Sequence, residues 1–159
     1  MALSVERTVS TGRYWQDFRA GEVFESQART VTEADVVTFT GLSWDLNPLH
    51  TDEEAARRGP FGRRIAQGAL GLSVAVGLVS RLGQLDGTAV AMLGIDEWRF
   101  HKPLFIGDTV RVRVTIGAVR ASSTPGRGVV DRRVDLLNQD GEVVQGGRLP
   151  VLVAGRPDA

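Results

Sequence analysis

The stretch "ALGLSVAVGLVSRL", residues 69–82, decides the fold. Apolar or small residues occupy every face of a helix drawn through it, whereas a surface helix would show one polar face. The stretch is too short, and too often interrupted by glycine and serine, to span a bilayer. It therefore indicates a helix enclosed by protein, and the rest of the chain must supply the enclosing layer.

The stretches around this helix have the period of β-strands. In "DTVRVRVTIGAV", residues 108–119, valine and isoleucine alternate with arginine and threonine, as in a strand with one buried face. The segment "GVVDRRVDLLNQDGEVVQGGRLPVLVA", residues 128–154, predicts two strands joined by a hairpin turn at Asp140-Gly141. Residues 89–100 and 13–30 add further strands. We therefore predict an α+β fold in which an antiparallel sheet wraps around a central helix at about 69–82.

Length and composition limit the classes of function. The chain has 159 residues, which predicts one domain over 1–159 with poorly ordered ends at 1–10 and 154–159. Acidic and basic residues balance at 19 each, so we expect neither nucleic acid nor a membrane as partner. The absence of cysteine and the presence of only 2 histidines predict no metal site. No signal-peptide pattern begins the sequence, and we expect a cytoplasmic protein.

Two short capped helices are predicted upstream of the central helix. The first follows Thr32, an N-cap residue, and should end at Gly41. The second follows Thr51, which forms a capping box with Glu54, and should end at the Gly-Pro step of residues 59–60. The loop between these helices carries the sequence "WDLNPLH", residues 44–50.

This loop holds the candidate acid-base chemistry. Proline disfavours the α conformation at Asn47, so the Asn47-Pro48 step can turn the chain and point Asp45 and His50 at one water. The start of a helix near Thr51 would favour a neutral imidazole, which can accept a proton. The pair could then act as general base and general acid. The alternative is an ordinary structural turn before a capped helix.

Gly68 begins the central helix and is the second candidate. Free backbone N–H groups at a helix N-terminus can polarise a carbonyl or hold a developing oxyanion, and glycine permits close approach. The alternative is that Gly68 and Gly71 only let the helix pack tightly.

Three blocks of sequence carry a family resemblance. They are "FTGLSWDLNPLHTDEEAA" (39–56), "FGRRIAQGAL" (61–70) and "FHKPLFIGDTVRVRVTI" (100–116). Together they resemble the MaoC-like dehydratases and R-specific enoyl-CoA hydratases of the hydratase 2 type, over roughly Tyr14 to Ile116. The resemblance implies a single hotdog domain whose short overhang helices carry the active-site loop.

The resemblance also implies a reaction and a role for each matching residue. Asp45 and His50 become the catalytic pair, Asn47 orients them, and Gly68 supplies the backbone donor to the oxyanion. The enzyme would be a hydro-lyase that hydrates trans-2-enoyl-CoA to R-3-hydroxyacyl-CoA, or catalyses the reverse dehydration. No cofactor is implied, because the coenzyme A thioester is itself the substrate.

Two positions depart from the family pattern, and both lie beside the catalytic residues. Trp44 stands where the family often has glycine, and Gln67 where it often has histidine. We expect both to reshape the acyl pocket, although Trp44 could equally be a core residue. The predicted substrate-binding residues are Trp44, Ala66, Gln67, Ser73, Arg63 and Arg64. The two arginines would meet the phosphates of coenzyme A, and a solvated helix end is their alternative explanation.

Several related functions remain as alternatives. One is a polyketide or secondary-metabolism dehydratase acting on a carrier-bound or unusual branched acyl thioester, and another is a non-catalytic acyl-CoA-binding hotdog subunit. Thioesterase activity is disfavoured because residues 69–82 include no acidic residue. The β-hydroxyacyl-carrier-protein dehydratases carry a His-Phe-Pro type motif that is missing here. Because exposed sheet edges favour pairing, we expect a homodimer or a higher homo-oligomer.

Overall fold

The computed structural model describes residues 12–157, which form four α-helices, a short 3₁₀ helix (Trp15–Asp17) in the segment predicted as strand, and an eight-stranded antiparallel sheet. The helices are α1 (Glu33–Ser43), α2 (Pro48–Thr51), α3 (Glu53–Arg57) and α4 (Gly68–Ser80). The strands are β1 (Val23–Glu25), β2 (Arg29–Thr30), β3 (Ala89–Met92), β4 (Asp96–Phe100), β5 (Thr109–Ala121), β6 (Arg127–Leu137), β7 (Val143–Arg148) and β8 (Val151–Ala154). A sheet wrapped around one long helix confirms the predicted α+β class.

The long hairpin of β5 and β6 forms the middle of the sheet, and its buried face is the one that the alternation predicts. Val110, Val112, Val114 and Ile116 are all buried. The strand order is β1-β5-β6-β7-β4, while β8 pairs with both β6 and β3. The predicted turn is also present, with Gly141 at φ 77° between β6 and β7.

Residues 128–154 form three strands where we predicted two. The run after the hairpin breaks between β7 and β8, at Leu149-Pro150. Proline cannot donate to a ladder, so a central strand breaks there. The two halves take different neighbours, β4 for β7 and β3 for β8.

Residues 89–100 likewise form two strands. β3 and β4 are separated by Leu93–Ile95, and every residue of β3 is exposed. β4 ends the strand order and so lies at an edge of the sheet. Leu93, Ile95 and Phe100 are exposed apolar residues along this edge.

One face of α4 packs on the sheet through Leu70, Val74, Ala75 and Leu78. The opposite face, which includes Val76, is exposed. The prediction of a helix enclosed on all sides is therefore wrong for the single chain, because the sheet covers only one side. The helix also ends at Ser80, before the predicted end at residue 82.

A polar side chain of β7 packs against α4. Gln145, only 2% exposed, places its side-chain amide against Gly71, where a β-carbon would collide with it. Its Oε1 accepts a hydrogen bond from Nε1 of Trp98 at 3.2 Å. Gly71 is therefore required at this contact, as the packing alternative supposed.

The upstream helices differ from prediction at their ends. Thr32 and Asp35 form the N-terminal capping box of α1, but the helix continues past Gly41 and ends at Trp44, whose φ is 61°. Asp52, not Thr51, caps α3, since its side chain accepts the backbone N–H of Ala55 at 2.9 Å. The Thr51 hydroxyl instead donates to the carbonyls of Leu46 at 3.2 Å and Asn47 at 3.1 Å, just before α2, and does not cap α3.

The ends of the described chain are tied to the sheet. Gly155 donates its backbone N–H to the carbonyl of Gly126 at 2.7 Å, and Arg156 pairs with Asp17. Residues 1–10, predicted to be poorly ordered, lie outside the described residues, as do 158 and 159. Within residues 12–157, no helix has both the length and the hydropathy of a membrane span.

Candidate active site

Asp45 is held in a tight turn at the end of α1. The left-handed conformation of Trp44 ends the helix, and the Trp44 carbonyl accepts the N–H of Leu46 at 3.0 Å across Asp45. The N–H of Asp45 donates to Oγ of Ser43 at 3.3 Å. The carboxylate remains 44% exposed, so water can reach it.

His50 is buried and has one tautomer when neutral. Its Nδ1 lies 2.7 Å from the carbonyl oxygen of Ile65. A carbonyl can only accept, so Nδ1 must carry the hydrogen and Nε2 must be the nitrogen that exchanges a proton. The histidine lies within α2 and not ahead of a helix at Thr51, so the predicted dipole effect on the imidazole loses its basis.

The exchanging nitrogen faces Asp45. His50 Nε2 and Asp45 Oδ2 are 3.5 Å apart, longer than a good direct hydrogen bond. Two proton acceptors at this separation repel each other when the imidazole is neutral, unless a donor lies between them. A water that donates to both atoms would remove this repulsion, which is the arrangement that general acid-base chemistry on water requires.

Asn47 contributes in two ways. Its side-chain Oδ1 accepts the N–H of Leu49 at 2.9 Å and so caps α2, while Pro48 takes the first helical position. Its backbone N–H donates to Oδ1 of Asp45 at 3.3 Å. Asn47 therefore fixes both the helix that carries His50 and one oxygen of Asp45.

Gly68 is the first residue of α4, and its N–H has no acceptor among residues 12–157. It is linked to the pair through the short segment that precedes it. Ile65, which anchors His50, also pairs with Phe105, and the buried Ala66 donates its N–H to Leu104 at 2.7 Å. The segment before Gly68 is thus fixed on both sides.

The ring of Phe100 covers Gly68. A β-carbon built on Gly68 would lie 2.8 Å from Cε1 of this ring, so any other residue would displace it. Phe100 is 61% exposed, which leaves the ring room to move outward. The close approach predicted for Gly68 therefore exists, with an aromatic ring as the neighbour.

Gln67 joins α4 to α1. It is 1% exposed and its Nε2 donates to Oγ1 of Thr40 at 2.8 Å. Its Oε1 is buried without a hydrogen-bond partner among the described residues. Because Thr40 also accepts the N–H of Trp44, this bond ties the start of α4 to the turn that carries Asp45.

The two predicted phosphate ligands have partners of their own. Arg64 binds Glu33 and Glu53, and the hydrogen bonds that it donates to these carboxylates, Glu33 first, raise the pKa of Arg64. Its charge is therefore already neutralised. Arg63 stacks on Phe105 at 4.0 Å, beside a separate surface cavity.

The structure groups some predicted residues and separates others. A small cavity of about 140 Å³ reaches His50, and its lining residues are Val36, Val37, Thr40, His50, Thr51 and Arg64. Ser73 lies instead on a larger groove that contains neither Asp45 nor His50, and its hydroxyl donates to the carbonyl of Ala69. Trp44 is 83% exposed, so the core-packing alternative for it is wrong.

Three contributors were missed from the sequence. Ile65 acts through its backbone carbonyl, which no side-chain pattern signals. Thr40 and Phe100 do have a signal, since Thr40 lies one helical turn before Trp44 and Phe100 opens the "FHKP" block. Among residues 12–157, no three histidine, aspartate or glutamate side chains group as metal ligands.

Comparison with known proteins identifies the family of the chain. The model of the MaoC like domain family matches residues 17–136. The (R)-specific enoyl-CoA hydratase of Rhodospirillum rubrum is 34% identical over 145 residues, which cover 90% of this chain and 93% of that protein. The matched stretches span only between 30% and 63% of the length of four other curated relatives.

Solved structures show the same fold. A MaoC-like dehydratase from Rhodospirillum rubrum superposes with a TM-score of 0.83 at 34% identity, covering 92% of this chain and 99% of that one. A Mycobacterium tuberculosis protein with a double hotdog fold gives a TM-score of 0.81 at 22% identity, over 93% of this chain and 46% of that one. The chain therefore belongs to the MaoC-like dehydratase family, has a hotdog fold, and is a hydro-lyase of the hydratase or dehydratase kind.

Proposed function

We propose that the protein catalyses R-specific hydration of a trans-2-enoyl-CoA, or the reverse dehydration of an R-3-hydroxyacyl-CoA. The observation that carries this proposal is the 3.5 Å distance between His50 Nε2 and Asp45 Oδ2. The Ile65 carbonyl, which binds Nδ1, makes Nε2 the nitrogen that exchanges a proton. The relative that is an (R)-specific enoyl-CoA hydratase supports the same stereochemistry.

In hydration, the bound water donates one hydrogen to His50 Nε2 and the other to Asp45 Oδ2. Its oxygen attacks Cβ of the conjugated thioester while His50 takes the proton. The electron pair of the double bond moves toward the thioester oxygen, which gains enolate character. A proton is then delivered to Cα from the same face, and the catalytic groups return to their initial protonation states. Such acid-base catalysis contributes roughly 10²–10⁴-fold in rate.

Gly68 receives the charge that forms on the thioester oxygen. Its N–H has no protein acceptor within residues 12–157, and it lies at the positive end of α4. A donor of this kind contributes on the order of 3 kcal/mol to the transition state. Phe100, packed on Gly68, would keep bulk water from this donor.

On the substrate side, Trp44 stands next to Asp45 with its indole exposed, and we assign it to the acyl group. Ala66 and Gln67 support the site from within, since both are buried. Arg63 is the better candidate for the phosphates of coenzyme A, because Arg64 is already paired with two carboxylates. We assign no cofactor, and the cytoplasm stays the proposed location.

The decisive experiment follows the loss of conjugated thioester absorbance with crotonyl-CoA. We expect Asp45→Asn and His50→Gln each to lower kcat by roughly 10²–10⁴-fold. His101→Gln is the matched control, because it removes an exposed histidine outside the site. Chiral chromatography of the product should give the R isomer. Unchanged turnover in both site variants, or an S product, would contradict the proposal.

We further propose that two copies pair through the edge formed by β3 and β4. Within residues 12–157, β3 pairs only with β8 and β4 only with β7, and the free edge carries exposed apolar side chains, including Leu93 and Ile95. Such edges favour pairing with another chain.

A further inference from the structure

One charged side chain lies on the buried face of the sheet. In β6, the alternation that places Val130, Val134 and Leu136 in the core also places Arg132 there. Arg132 is only 7% exposed. A buried arginine normally has a carboxylate or another full set of acceptors, because an unpaired charge is costly to bury.

Arg132 lacks such a partner. Its side chain makes one hydrogen bond within residues 12–157, from Nε to the carbonyl of Leu149 at 3.0 Å, and it forms no salt bridge there. Burial lowers the pKa of Arg132 to about 10, so the guanidinium is still charged at neutral pH. The rest of this guanidinium can bind an acceptor that residues 12–157 do not provide.

A cavity of about 240 Å³ lies against this arginine, between the second half of α4, β3 and the sheet. Its lining is mostly apolar, and the polar members besides Arg132 are Ser80 and Asp86. The carbonyl end of α4 at Ser80 supplies only about half an elementary negative charge, less than a guanidinium requires. From Gly68 to Val76, the first lining residue of α4, the helix rises about 12 Å, so the cavity is separate from the candidate active site.

We propose that this cavity binds the carboxylate of an aliphatic ligand, with Arg132 holding the carboxylate. The guanidinium matches a carboxylate in charge and in planar two-point geometry. Val76, Val79 and Met92 suit a hydrocarbon chain. At roughly 30 Å³ for each small group, the volume holds about eight non-hydrogen atoms, the size of a six-carbon acid.

The first test measures binding of hexanoate and of hexan-1-ol to the full chain by calorimetry. We expect hexanoate to bind at least about tenfold more tightly, as a charge-assisted hydrogen bond provides. Arg132→Met should abolish this preference, whereas Arg133→Met, which removes an exposed arginine of the same strand, should leave it intact. Replacing a buried, unpaired charge with methionine should not destabilise the fold.

Equal binding of the acid and the alcohol to the wild-type chain would overturn the proposal, whether or not Arg132→Met folds. A change of oligomeric state in Arg132→Met, seen by sedimentation, would also overturn it, because a second copy would then supply the acceptor.

A second test distinguishes a free acid from the acid end of an acyl thioester. Turnover of a trans-2-enoyl-CoA with a terminal carboxylate is compared with turnover of its methyl-terminated analogue. If the carboxylate-terminated thioester is turned over faster and Arg132→Met removes this preference, the cavity binds the acid end of the substrate. This outcome rests on the proposed function. Hexanoate binding without that preference assigns the site to a free acid. If neither thioester is turned over, the proposed function fails while the binding test stands.

Discussion

Gly68 is a residue whose backbone donor can be removed with little other change. It is the first residue of α4, a position where proline is well tolerated, and the preceding Gln67 has φ −59° and ψ 140°, as a residue before proline requires. Proline and alanine both bring a β-carbon against Phe100, but only proline removes the N–H. Comparing the two variants therefore separates the loss of the donor from the steric effect.

We predict that the kcat of Gly68→Pro is about 10²–10³-fold lower than the kcat of Gly68→Ala, the range expected for one oxyanion donor. Both variants should be made in a Phe100→Ala background as well, which removes the colliding ring. Steady-state kinetics with crotonyl-CoA measures the difference. Equal kcat values for the proline and alanine variants in both backgrounds would exclude Gly68 as the donor.

Trp44 combines a strained backbone with an exposed indole. A left-handed conformation costs a bulky residue about 1–2 kcal/mol, and glycine avoids this cost. The side chain is 83% exposed, so little burial compensates for the strain. A contact with substrate would explain why an aromatic residue stands here.

Trp44→Gly should therefore raise the free energy of unfolding by about 1 kcal/mol, or Tm by roughly 2–4 °C, and also raise KM for the acyl substrate. Trp44→Asn, which also tolerates this conformation, is the matched comparison. Thermal melts and KM values measure the two effects. A lower Tm in both variants would show that the indole stabilises the protein more than its conformation costs.

At the residue scale, the sequence alone predicts the pair of Asp45 and His50, but it does not predict the tautomer of His50 or the contact that covers Gly68. The Asp45 to His50 spacing and the Asn-Pro step are visible in the chain, and the structure brings those residues together. The tautomer of His50 depends on a carbonyl at Ile65, which every residue type possesses. The contact between Phe100 and Gly68 depends on the pairing of β4 with β7, which local sequence does not encode.

At the scale of elements, Arg64 fixes two helices of the site to the segment before α4. It binds Glu33 in the first turn of α1 and Glu53 in the first turn of α3. Hydrogen bonds from Arg64 lower the pKa of Glu33 below its ordinary value of 4.5. Because the folded pKa is the lower one, the ionised Glu33 stabilises the fold above pH 4.5, and this contribution is lost as the pH falls further.

Acidification should thus lower the Tm of the wild type more than that of Glu33→Gln. We expect the wild type to lose more of its Tm than Glu33→Gln does between about pH 5 and about pH 2, with the curves converging at the acid end. Melting curves by circular dichroism measure this convergence. Glu54→Gln, at an exposed carboxylate bound to Arg57, serves as the comparison. Parallel curves for wild type and Glu33→Gln would contradict the assigned role.

Elements were predicted more reliably than their ends. The alternation in β5 and the capping box of α1 are local signals, and both are present in the structure. The predicted end of α1 and the predicted start of α3 were wrong because several adjacent residues can cap a helix. Asp52 caps better than Thr51 here, since Thr51 is already bonded within α2.

For the whole molecule, the proposed pairing of two copies would use the edge of β3 and β4. Local sequence predicted strands there, but only the strand order shows that they lie at an edge. Leu93 and Ile95, which are 50% and 44% exposed, join the two strands. Lysine at these positions would put charge against a partner strand.

We expect Leu93→Lys/Ile95→Lys to sediment as a monomer at micromolar concentration and the wild type as a dimer. Leu42→Lys replaces an exposed leucine on α1 and should remain dimeric. Velocity sedimentation at several concentrations measures all three. A monomeric wild type would rule out the proposed pairing.

The contact between Gly71 and Gln145 limits how α4 can slide along the sheet. If α4 slid along the sheet by one helical turn, about 5.4 Å, so that Val74 or Ala75 took the place of Gly71, a β-carbon would meet the Gln145 amide and the helix would be forced away from β7. A slide in that direction is therefore incompatible with a closed core. Gly68, the proposed donor, lies one turn before Gly71 on the same helix, so core packing also limits where its N–H can lie.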